Sequence, residues 1–133
     1  DNPKDINNYL LLTKYLKVNP QDIDKLLDDF TIFDDYIQMN IISTLEYIGT
    51  KESQEGLFRL AQDNSLKDDN NIRAIIAIGS VKKPIDKSIV VLKNIMDMYR
   101  DIDSEKYDSA ILALGTIKDK TKNIDLIQKI KEE

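Results

Sequence analysis

Six aspartates crowd one short stretch of the chain. Asp22, Asp24, Asp28 and Asp29 fall in "NPQDIDKLLDDF", and Asp34 and Asp35 follow in "FDDY". Carboxylates four residues apart, such as Asp24 and Asp28, share one face of a helix, where like charges repel unless a cation or a basic partner sits between them. The segment therefore offers an acidic patch for a basic protein surface; a solvated helix face is the plainer reading. "DNSLKDDNNIRA" and "DIDSEKYDSAIL" alternate acidic and Asn residues as a calcium loop would. Helix-loop-helix calcium loops need Gly at the sixth position and Glu at the twelfth, and neither stretch has them. These aspartates are read instead as helix caps and partners of the helix dipole, and no metal is assigned.

Other reactive side chains are scarce. The 133 residues contain no His and no Cys. Disulfides, thiolate zinc sites, a cysteine nucleophile and any His-based triad are excluded. No catalytic residue and no cofactor site is expected. Lys82, Lys83 and Lys87, then Lys118, Lys120 and Lys122, form two basic clusters that phosphates or an acidic protein would meet, although solvated turns are the simpler reading. A net charge of −5, only 3 Arg and no Trp weigh against nucleic acid. Residues 1–66 carry −6 and residues 67–133 carry +1, which makes one end acidic. The longest apolar runs, "YLLL" and "SIVVL", fall far short of the ~20 residues that span a bilayer, so no membrane contact is expected from this segment. It has no initiator Met and "DNPKDINN" is unlike a secretory signal, so a processed or excised form is expected.

The elements that must position these residues are helices. With 4 Gly and 3 Pro the chain has little turn material. Apolar residues recur at helical spacing, as Ile72, Ile75 and Ile76 do in "NNIRAIIAIGSV" and Ala110, Ile111 and Leu114 in "YDSAILALG". Each of these stretches reaches a Gly, then a short polar link with a β-branched residue (Val81, Ile117), then a second amphipathic stretch. Gly49 anchors a third copy, and "YLLLTKYLKVNPQDIDKLLDDF" is a weaker fourth. Gly spacings of 30 (49 to 79) and 36 (79 to 115) are those of a solenoid. The pattern predicts eight helices near 5–17, 20–30, 33–48, 53–64, 69–79, 84–99, 105–115 and 120–131. Gly49, Gly79 and Gly115 are expected to end first helices in a left-handed conformation. Asn19 and Asp119 are expected as N-caps, and Pro20 and Pro84 in first helical turns.

The residues Arg73, Ala74, Ala77, Gly79, Val81, Pro84 and Leu92, with Ala110, Ala113, Leu114, Gly115, Ile117 and Asp119, resemble the HEAT-like helical repeat, well over residues 40–133 and thinly over 1–39. Lys83 stands where that pattern has Asp, Ser43 and Ser109 where it has Arg, and Tyr47 where it has Ala. The resemblance implies one all-α domain, a right-handed α-α superhelix of about four hairpins near 5–30, 33–64, 69–99 and 105–131. It also implies a non-enzymatic scaffold binding a protein partner on a concave face lined by the second helix of each pair. The outward residues of those helices, Asp24, Asp28, Arg59, Lys87, Asn94 and Gln128, are the expected contacts; Leu26, Phe58, Leu92 and Ile127 belong to the core. The competing expectation is an accessory subunit of an enzyme, of the cofactor-attachment type, or a nucleic-acid-binding repeat. Arg73 is read as a brace on an adjacent repeat or on a helix cap, and about half of the six tyrosines as core. The first helix spreads Tyr9, Leu10, Leu11, Leu12, Tyr15 and Leu16 round more than half its circumference, which leaves apolar surface for self-association or a partner.

Overall fold

A computed structural model of the chain describes residues 3–132, with side chains described for residues 10–122 and Lys129. The chain forms α1 (Pro3–Val18), α2 (Asp22–Asp28), α3 (Asp35–Ile48), α4 (Lys51–Ala61), α5 (Asp68–Ser80), α6 (Lys87–Tyr99) and α7 (Ser104–Glu132), with a 3-10 turn at Phe30–Ile32. No strand occurs among the described residues, and the protein is all-α. Helix α3 packs between α1 and α5, and α5 between α3 and α7; α4 touches α2, α3, α5 and α6. One apolar core runs through these contacts, with Leu45, Leu57, Ile75, Leu92 and Ile95 shut off from water. Phe58 and Leu92 lie in it as expected, Leu26 is half-buried against it, and the Ile127 side chain lies outside the described residues.

The α3–α4 turn follows from its residues. Asp34 caps α3 by accepting from the Ile37 N–H at 2.9 Å. Gly49 ends it at φ 65°, a left-handed conformation that costs a residue with a Cβ roughly 1–2 kcal/mol. Thr50 then caps α4 through the Ser53 N–H at 3.2 Å.

The other two glycines do not end helices. Gly79 lies inside α5, which runs on to Ser80, and Gly115 lies inside α7, which runs unbroken from Ser104 to Glu132. The helices expected at 105–115 and 120–131 are one, so Asp119 is no N-cap and the second basic cluster sits on a helix. A Gly in a helix interior costs about 1 kcal/mol relative to Ala. Continuing the helix buries Ile117, 4% exposed, against the core, which returns about 2 kcal/mol. No Pro follows to force a break. Gly79 serves a different purpose: a Cβ there would lie 2.7 Å from the Ala113 carbonyl oxygen, so α5 and α7 approach at backbone distance. Three smaller expectations also change: Pro20 precedes α2, which starts at Asp22, and Asn19 and Pro84 take other places. Asn19 bonds back to the Tyr15 carbonyl at 3.0 Å, with Gln21 at the N-cap of α2, and Pro84 lies in the loop before α6.

Buried polar side chains close the seams between helices. The Asn71 amide donates to the carbonyls of Leu60, Ala61 and Asp63 at 3.0, 3.1 and 3.2 Å, at the buried C-terminal end of α4 and the turn after it. Gln38 does the same for Phe30 and Phe33 at 3.1 and 3.0 Å. Gln54 donates to Gly49 and Lys83 carbonyls, both at 3.0 Å, and accepts from the Ile85 N–H at 3.0 Å, fixing the α5–α6 loop on α4. Lys120, reaching back from α7, donates to the carbonyls of Gly79 and Val81, each at 2.6 Å, at the C-terminus of α5. Burial lowers its pKa, opposed by Glu46 of α3; burial raises that of Glu46, opposed by Lys120.

Candidate interaction surfaces

Two surfaces can be built from these elements. The first is that of α2, α4 and α6. Asp24 and Asp28, one helical turn apart on α2, both turn to Arg59 of α4: its guanidinium lies 2.7 Å from Asp28 Oδ1 and 3.8 Å from Asp24 Oδ1. Arg59 also donates to the Asp24 carbonyl at 3.3 Å. Three of the expected contact residues are thus brought together, and their charges answer one another. The pairs are exposed and contribute about 0–1 kcal/mol each. Lys87 and Asn94 stand on the exposed side of α6, beside the exposed Val90. The Gln128 side chain lies outside the described residues.

The second surface belongs to the odd-numbered helices. Helix α3 packs on α1, α4 and α5, and α5 on α3, α4, α6 and α7; parts of these helices stay outside the contacts. They carry apolar groups: Leu11 and Tyr15 on α1, Tyr36 and Tyr47 (66% exposed) on α3, Ile76 on α5, Ile111 and Leu112 (62% exposed) on α7. Lys17 lies over the Tyr47 ring, 5.4 Å from its centre, and ties α1 to α3 there.

At the N-terminal ends of α3 and α5 lie two adjoining depressions, about 210 and 380 Å³, which form a shallow groove. The smaller is lined by Tyr36 and Met39 from α3 and by Asp69, Asn70 and Arg73 from α5; the larger by Phe33, Gln38 and Leu66 among others. Asp35 and Lys67 belong to both, bonded across the groove at 2.9 Å. The hydrogen bond to Asp35, followed by its charge, raises the Lys67 pKa. Asn70, 3% exposed, donates to Gln38 Oε1 at 2.9 Å. No protein-family model, curated protein or solved structure matches this chain.

Several expected residues change their parts. Arg73 is exposed and makes no ion pair among the described residues, so it does not brace a repeat; Arg59 and Arg100 are both paired. Of the tyrosines, Tyr99 alone is buried among those described, Tyr107 is half-buried, and Tyr15, Tyr36 and Tyr47 are exposed. The acidic stretches act locally. Asp103 accepts from the Lys106 N–H at 3.1 Å, Asp63 from Ser65 at 3.0 and 2.6 Å, and Asp68 pairs with Lys106 at 3.0 Å. Sequence reasoning missed the groove, since Tyr36, Met39 and Asn70 have no common motif. The available signal was the side-by-side Asn70 and Asn71 in a helix with an apolar stripe, a costly place for amides without partners.

Proposed function

We propose that the chain is a protein-binding scaffold of the HEAT-like kind, a short right-handed superhelix of three helical hairpins (α1–α2, α3–α4, α5–α6) closed by α7, with no reaction of its own. The order of contacts, α1 to α3 to α5 to α7 and α2 to α4 to α6, supports the repeat reading, because in stacked repeats each pair buries apolar surface against the next. The observation that carries the function is the set of exposed Tyr, Ile and Leu side chains on four helices that pack in succession, from Tyr15 on α1 through Tyr47 on α3 and Ile76 on α5 to Leu112 on α7. Apolar groups exposed in a row, not scattered singly, mark a protein contact. The α2–α4–α6 surface, with Asp24, Asp28, Arg59, Lys87 and Asn94, is the weaker candidate, as its strongest charges are already paired.

Photo-crosslinking decides between the surfaces. A benzophenone amino acid is placed at position 76 or at position 94, and crosslinking is carried out in source-cell extract. A discrete crosslinked protein at position 76, absent at 94, is the expected result. The reverse pattern moves the contact to α2, α4 and α6; no discrete product from either position removes the scaffold reading.

A further inference from the structure

Helix α7 packs on α5 and α6 with one side and leaves the other bare. Lys106, Ser109, Ala110, Ala113 and Ile117 are buried on the packed side. Asp108, Ile111, Gly115 and Lys122, at intervals of three, four and seven residues, form an exposed stripe opposite, with Leu112 exposed beside it. At the centre stands Gly115. "AIGSVK" at 77–82 and "ALGTIK" at 113–118 repeat one another, and their glycines meet different surroundings. A Cβ on Gly79 would lie 2.7 Å from the Ala113 carbonyl oxygen, because α7 comes up to α5 at backbone distance there. A Cβ on Gly115 would meet nothing within 4 Å. Glycine weakens a helix relative to alanine, and within one chain nothing at Gly115 compensates for that loss. Gly79 shows what does: the close passage of another helix.

The charges on the stripe say which helix. Asp108 lies two turns before Gly115 and Lys122 two turns after it, and neither pairs with another charge among the described residues. At 3.6 residues per turn both fall only about 20° from the line through Gly115. An antiparallel copy of α7 crossing at Gly115 sets each residue opposite the one equally far beyond the glycine. Asp108 of each copy then meets Lys122 of the other, twice by symmetry. Ile111 and Leu112 of both copies close round the two glycines, while Asp119, about 40° off the line, stays at the rim. A parallel copy would instead set Asp108 against Asp108. We propose that the chain forms a two-fold dimer in which the exposed faces of two α7 helices cross antiparallel at Gly115, Asp108 of each copy pairing with Lys122 of the other. The dimer does not rest on the scaffold reading, and of the side chains that carry that reading it takes only Leu112.

Sedimentation equilibrium of the full chain, from about 5 to 500 μM, tests this. The expected result is a monomer–dimer equilibrium with a Kd of about 10–100 μM, as suits a contact of one helix per copy. Asp108→Lys and Lys122→Glu, both exposed substitutions, should each weaken the dimer about tenfold or more, and the two together should restore it. Gly115→Glu puts two carboxylates on the two-fold axis; it should keep the helical circular dichroism and leave only monomer. A chain that is monomeric throughout overturns the proposal. So does a dimer that persists with Gly115→Glu, or a charge swap that fails to restore what the single reversals removed. Association lost with Leu11→Lys and Val18→Lys but untouched by the α7 variants places the contact on α1 and overturns it as well.

Discussion

Gly79 and Gly115 look alike in sequence and oppose one another in structure. A Cβ added at Gly115 would meet nothing within 4 Å, and the backbone there is helical, so Gly115→Ala should stabilise the fold by about 0.5–1 kcal/mol through the entropy of the unfolded chain. Gly79→Ala drives a methyl into the Ala113 backbone and should cost about 1–3 kcal/mol. Urea denaturation of the two variants checks both signs; a loss at Gly115 would mean that α7 is broken there after all. Lys106 offers a pH test. It is buried, with its ammonium 3.0 Å from Asp68 and 4.9 Å from the centre of the Tyr99 ring. Burial alone would lower its pKa, but the hydrogen bond to Asp68 and the charges of Tyr99, Asp68 and Asp103 outweigh it, and the pKa is raised. A base bound more tightly to its proton when folded contributes stability in full below its ordinary value of 10.5, and loses it as pH rises through the raised value. Lys106→Met, which keeps the packing on Tyr99, should therefore cost about 1 kcal/mol at neutral pH, a gap that closes only above pH 10.5.

At the scale of elements, the seams depend on amides more than on ion pairs. Asn71 satisfies three carbonyls at the end of α4 from a site without water access. Asn71→Leu keeps the volume but takes the amide from those carbonyls, of which Leu60 and Asp63 keep backbone partners at 3.3 Å, and it removes the buried, unpartnered Asn71 Oδ1; it should destabilise by about 1–2 kcal/mol in thermal or urea melts. Asp28→Asn, which weakens the exposed pair to Arg59, should move the same midpoint by well under about 1 kcal/mol. Comparable losses from both would contradict the ranking. The union of two expected helices into α7 belongs to this scale as well. Gly115 removed one side chain but no backbone hydrogen bond, and Ile117 reached the core and Lys120 the C-terminus of α5 only because the helix continued.

For the molecule as a whole, α1 packs chiefly on α3, with Tyr15 also donating to Asp22 of α2, and Leu10, Leu11, Tyr15 and Val18 remain exposed. The apolar edge foreseen for the first helix is therefore present. If copies meet there, sedimentation should show concentration-dependent association, and Leu11→Lys with Val18→Lys should abolish it without altering the melt. A chain that stays monomeric throughout would leave that edge to a partner. Among the described residues no helix is long and apolar enough to cross a membrane.

Local patterns in the sequence were enough for the helical class, for the α3–α4 turn at Gly49 and Thr50, and for burial of Phe58 and Leu92, because helical periodicity, capping and glycine's left-handed freedom act over a few residues. The pairing of Asp24 and Asp28 with Arg59, 31 to 35 residues away, was beyond them. So were the fate of Gly115, the freedom of Arg73 and the groove between α3 and α5. Each of these depends on what a neighbouring helix places opposite a residue. Whether a glycine ends a helix, or an arginine finds a carboxylate, is decided by burial and distance between elements, and only the packed structure contains those.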